Sequence, residues 1–264
     1  VQHFVLAVPL LHRVFTLFIR RECLDPRKCA AYNMRIDVIS AVPKILESPL
    51  GESILKRARE KGLAEIAIHD LRDYAEGNYR QLDDKPFGGG AGMVLKPEPV
   101  FKCINALLKA RSYDEIIYLT PQGSKFNQKK ANELSLKENI MIICGHYKGL
   151  DQRVIDKFVT CELSIGDYVI TGGEGAAIVV IDAVVRLIPG VLGDSESALT
   201  DSFQTDSGFD APVYTRPAEY EGLKVPEVLL NGNHKEIAEW RAKMGEEKFS
   251  TVKKVSKKDI NVFD

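Results

Sequence analysis

From Met34 onward, short apolar runs alternate with stretches whose apolar residues recur at helical spacing. Arg35–Ser40, Ala64–Leu71, Glu115–Thr120, Ile140–Cys144 and Phe158–Leu163 read as strands. Lys44–Lys61 reads as a helix that Gly62 ends as a C′ residue. Further helices are expected to begin near Pro97, Asn127 and Leu150, and a long apolar one to cover Gly175–Ile188, stopped by Pro189 and Gly190. Strands alternating with helices predict an α/β fold with a mostly parallel sheet. After Gly193 the periodicity fades, and residues 194–221, rich in Ser, Asp, Thr and Pro, read as a linker or lid. Residues 222–264 read as a small helical domain, with one helix from its Asn233 cap through Met244 and a short last helix over Ser256–Val262.

The first 33 residues do not fit this pattern: they are apolar, then basic, and stop at Met34. Pro9, His12, Arg13 and Thr16 break the apolar part too often for a membrane span. Arg20 and Arg21 follow it, whereas a signal peptide would carry its basic residues first. We read the segment as an upstream extension with Met34 as the natural start, and residues 34–193 as the main domain.

The 264 residues carry a net charge of −1, and the leader's surplus of basic groups leaves the remainder near −4. A global field cannot then hold nucleic acid, so any such binding needs a local basic patch. The Lys-rich tail with Trp240 and Arg241 is the densest candidate, although interspersed Glu236, Glu239, Glu246 and Glu247 fit a solvated helix face equally well. Five cysteines without metal-ligand spacing point to a reducing, cytoplasmic compartment.

Phe87–Met93 (FGGGAGM) has neither the Gly-Lys-Ser/Thr of a P-loop nor the third glycine of a dinucleotide fingerprint. It reads as a hinge, or as backbone that something approaches closely. More informative are three loops at the carboxyl ends of predicted strands: Tyr118–Gly123, Cys144–Gly149 and Ser164–Glu174. Open α/β sheets bind ligands at those ends. Backbone in loops of Gly, Tyr and Pro can press against a flat ring.

These loops, together with Arg186–Gly193, Asp201–Phe203 and Tyr214–Pro217, resemble the bacterial tRNA (guanine-37-N1) methyltransferases over essentially residues 34–264. The resemblance implies a SPOUT-class fold with a deep trefoil knot, a homodimer, S-adenosyl-L-methionine as methyl donor, tRNA as substrate and no membrane association. It implies that Gly145 and Ile165, Gly166, Asp167, Tyr168, Val169 and Ile170 bind the adenosyl group. Tyr118, Leu119, Thr120, Pro121 and Gly173 would form pocket walls, with Tyr147, Gly149, Ser164 and Gly172 beside them. Asp201 matches the family's general base and Arg186 its catalytic arginine. Plainer readings are a solvated carboxylate for Asp201 and a salt bridge to Asp182 for Arg186. At Gly145–Gly149 (GHYKG) many members carry Arg at the position of His146 and Glu at that of Lys148. The family uses a divalent cation, possible here as Mg2+, and Lys148 puts direct coordination at that spot in doubt. Two alternatives stay open: a catalytically silent RNA-binding module on the same scaffold, and an unrelated nucleotide-binding α/β enzyme.

Overall fold

The computed structural model describes residues 33–192, 202–203 and 209–259. The expectations for residues 1–32, for Gly193 and for Asp201 fall outside the described residues. The chain divides into two units, Val1–Val191 and Leu192–Asp264.

In the first unit a five-stranded sheet has the order β2 (Ala64–Asp70), β1 (Met34–Ser40), β6 (Asn139–Cys144), β5 (Glu115–Lys125), β7 (Cys161–Ser164). All its pairings are parallel, with Ile36 opposite both Ile66 and Ile140, and Ile117 opposite both Ile142 and Cys161. Parallel strands buried on both sides favour continuous apolar runs, which β6 supplies, while β1 is nearly as buried but carries Asp37 and Ser40 among its apolar residues. Alternate residues feed two cores. Ile36, Val38, Ile140 and Ile142 pack with α1 (Lys44–Leu50), α2 (Ser53–Glu60), α4 (Gln128–Ser135) and α6 (Gly173–Val185). Ile39, Met141 and Ile143 pack with α3 (Pro97–Ala110) and α5 (Gln152–Phe158). The result is a mixed α/β fold with helices on both faces of a parallel sheet.

Several boundaries differ from the sequence reading, each for a local reason. The helix expected over Lys44–Lys61 is two, because Pro49 has no N–H to donate and the chain turns through Gly51 to Ser53, whose φ is 53°. Gly62 does end α2, in the left-handed region at φ 67°. The strand expected at Phe158–Leu163 starts later, since α5 runs through Phe158. Strand β5 extends beyond Thr120, and after a register shift Ser124 lies opposite Leu163. The glycine run forms the tip between β3 (Asp83–Asp84) and β4 (Val94–Leu95), an antiparallel pair rather than a strand-to-helix turn.

Cys103, Cys144 and Cys161 are free thiols, and burial pushes Cys103 up to about 12. No helix among the described residues is long and apolar enough to cross a membrane.

The second unit contains a hairpin of β8 (Glu219–Tyr220) and β9 (Leu223–Lys224). Its two turn residues, Glu221 and Gly222, both have positive φ, as the right-handed twist of a tight hairpin favours. The side chain of Asn233 accepts from the Lys235 N–H at 3.2 Å and caps α7 (His234–Asp259). This helix is continuous, where two had been expected. Gly245 does not break it; a Cβ there would lie 2.2 Å from the Phe209 carbonyl oxygen, so the glycine admits a close backbone approach.

Candidate active site

Strands β6, β5 and β7 are neighbours in the sheet, and residues 118–122 within β5, the end of β7 and the segments that follow β6 and β7 enclose a cavity of about 570 Å³. Every residue expected to meet the donor lines this cavity except Asp167, which ion-pairs with Lys125 instead. Further lining residues that the sequence did not single out are Gln122, Gln152, Ile155 and Glu162.

The walls are made by close backbone approach. The Gly173 N–H donates to the Gly145 carbonyl at 2.7 Å, and His146 bridges Gly172. A Cβ on Gly173 would sit 2.7 Å from the Gly145 nitrogen and 2.8 Å from the Cys144 Cα, which no shift of a side chain could relieve. Tyr118 is buried beneath this seam, and burial raises its phenol above its ordinary value. Its hydroxyl lies 3.1 Å from where a Cβ would stand on Gly145 or on Gly149. In the third loop the Ser164 hydroxyl donates to the Gly166 carbonyl at 2.9 Å, and the Tyr168 ring folds over Gly166.

Behind the wall lies Glu174, only 2% exposed, in the first turn of α6. A carboxylate there is favoured by the partial positive charge of the helix N-terminus. Its Oε1 accepts a 2.6 Å hydrogen bond from the Ser40 hydroxyl at the end of β1. Its Oε2 lies 3.9 Å from His146 Nδ1, a buried nitrogen without a hydrogen-bond partner. A Cβ on Gly172 would fall 2.7 Å from that nitrogen. The sequence reading assigned no role to Ser40 or Glu174; the available signal was an acid in the first turn of a helix whose one other charge is Asp182.

Residues 34–257 match the family described as tRNA (Guanine-1)-methyltransferase TrmD. The chain belongs to that family. It is 61% identical over 208 residues to the tRNA (guanine-N(1)-)-methyltransferase of Christiangramia forsetii, covering 79% of this chain and 92% of that protein. The protein of the same name from Chlorobaculum tepidum is 58% identical over 215 residues, 81% of this chain and 93% of its own. That of Bacteroides fragilis is 59% identical over 207 residues, 78% and 92% respectively. Membership makes the chain an enzyme of a tRNA-methylating family, so the silent binding module and the unrelated nucleotide enzyme are set aside.

Arg186 is not at the cavity formed by its own chain. The first turn of α6 lines the cavity, whereas Arg186 follows the last turn, its N–H bonded to the Asp182 carbonyl at 3.2 Å. The described residues contain no group of three or more His, Cys, Asp or Glu that could hold a metal ion. With Lys148 on the loop, the residues present do not fit a divalent cation there.

Proposed function

We propose that the enzyme methylates N1 of guanine 37 in the anticodon loop of tRNA, using S-adenosyl-L-methionine, as a cytoplasmic homodimer. The observation that carries this reading is the cavity enclosed by β5, β7 and the segments after β6 and β7 in a chain of this family. Backbone at Gly145, Gly166, Gly172 and Gly173 is packed closely into the walls of a cavity of about 570 Å³, room enough for a flat adenosine, so the residues fit such a donor. When bound, the donor supplies a sulfonium methyl that needs no further activation. Guanine N1 carries a proton at neutral pH; Asp201 takes it as general base, an effect typically worth about 10²–10⁴-fold. Arg186 stabilises the negative charge that develops on O6. The cavity walls align methyl and nitrogen.

Two observations support the dimer. Helix α6 has 13 residues, a length of about 20 Å at 1.5 Å per residue. Arg186 therefore lies far from its own cavity, and a second copy is the source that could complete the site. Exposed Val169 and Val179 offer apolar surface near the cavity and on α6. Within the second unit, α7 with Trp240 fits a tRNA-gripping domain.

The test separates binding from chemistry. Asp201→Asn is expected to keep donor and tRNA affinity but to slow single-turnover methyl transfer by about 10²-fold or more, because an amide cannot accept the N1 proton. Arg186→Lys is expected to be impaired as well, since an ammonium lacks the planar fork. An Asp201→Asn rate within about threefold of wild type removes Asp201 from the base role.

A further inference from the structure

Lys148 occupies an unusual position for a surface lysine. It lines the cavity, and its backbone N–H donates to the Met93 carbonyl at 2.9 Å, tying the loop after β6 to the glycine-rich hairpin. Its aliphatic stem lies flat on Gly92: a Cβ there would stand 2.9 Å from Cε, 3.0 Å from Cγ and 3.1 Å from Cδ. Gly92 has φ 93°, so both its conformation and its missing side chain are used by this contact. The ammonium ends near Gly90, 4.0 Å from where that residue's Cβ would be. A lysine is ordinarily a point charge on a flexible stem. Here the stem is held by the hairpin, and among the described residues no carboxylate pairs with the charge.

Lys148 is also the one Lys or Arg among the described residues that line the cavity. The donor of the reading above carries a sulfonium, an α-ammonium and an α-carboxylate. An unpaired ammonium beside that cavity repels the first two groups unless the third sits against it. We infer that the Lys148 ammonium binds the donor's α-carboxylate through a charge-assisted hydrogen bond, and that the glycine hairpin serves to hold Lys148 in place for it. The glycine run thereby acquires a function without binding any ligand through its own backbone. The inference rests on the cavity being the donor site.

Calorimetry on the full chain tests it with two ligands that share the adenosine: S-adenosylmethionine, and 5′-methylthioadenosine, which has no amino-acid tail. Lys148→Met is expected to weaken S-adenosylmethionine about tenfold and leave 5′-methylthioadenosine unchanged. Lys148→Arg is expected to restore most of the affinity, and added salt to weaken S-adenosylmethionine more in the wild type than in Lys148→Met. Unchanged S-adenosylmethionine affinity in Lys148→Met, or an equal loss for both ligands, overturns the contact. A loss confined to tRNA affinity assigns the ammonium to a phosphate and overturns it too. Failure of the wild type to bind either ligand instead overturns the donor site on which the inference stands.

Discussion

Gly145 and Gly166 both lack a side chain at the cavity wall, but their neighbours differ in how far they can give way. A Cβ on Gly145 meets the buried Tyr118 ring and the Leu119 carbonyl at 3.1–3.2 Å, and neither has room to retreat. At Gly166 the obstacle is the ring of Tyr168, which is 56% exposed and free to swing outward. Gly145→Val is therefore expected to abolish S-adenosylmethionine binding in calorimetry while thermal unfolding stays cooperative. Gly166→Val is expected to weaken it by displacing a wall residue. Unchanged affinity in both variants contradicts the proposed pocket. The glycines and tyrosines of these loops were legible in the sequence because they follow apolar runs that can only be buried strands. Asp167 was not: its place beside Ile165 and Tyr168 says nothing of whether its carboxylate turns into the cavity or out to Lys125. The Ser40–Glu174 hydrogen bond joins residues 134 positions apart, a separation that local spacing cannot bridge.

Asp37 shows what ties the elements together away from the site. It is fully buried on β1 and accepts hydrogen bonds from His69 on β2 at 2.7 Å, from the Tyr113 hydroxyl ahead of β5 at 2.7 Å, and from Arg35 at 2.7 Å. Burial alone pushes its carboxyl up, but the hydrogen bonds from His69, Arg35 and Tyr113 outweigh that and hold it well below the ordinary carboxylate range. A carboxyl with a depressed folded pKa contributes stability that is whole above about pH 4 and drains away as the pH falls toward the folded value. Asp37→Asn is expected to lose about 2–4 kcal/mol at pH 7 in denaturant unfolding, and to lose less than the wild type on further acidification. Parallel stability curves for the two proteins between pH 6 and about pH 2 contradict this account. Nothing in the sequence announced the cluster, because its partners come from three separate elements. The strands themselves were legible, β6 as an almost unbroken apolar run and β1 and β2 as apolar residues alternating with polar ones. Helix ends were less so, since apolar spacing continues through Pro49 and Gly51 although the backbone cannot, and Gly245 looks like a breaker until the Phe209 carbonyl is seen against it.

A slightly acidic protein that acts on a polyanion needs a local basic patch, and we assign that patch to the second unit. Lys243 on α7 is well exposed, with Glu247 4.0 Å away, and Glu236 is engaged with the Asn231 and Asn233 amides at the start of the helix. The acids that argued for a merely solvated face are thus partly occupied within the unit. Deleting residues 222–264 is expected to leave donor binding intact, to weaken tRNA binding and to flatten its dependence on salt. Equal affinity and equal salt slope for the two proteins would show that the tail is only solvated surface. The central claim is narrower than tRNA binding: one nitrogen of one base receives the methyl group. Its most direct test is transfer of labelled methyl from S-adenosylmethionine by the full chain to two unmodified transcripts of one tRNA, differing only in guanine or adenine at position 37. The account predicts label on the guanine-37 transcript alone, mapped to N1. Equal label on both transcripts, or label on neither while donor and tRNA both bind, would contradict it.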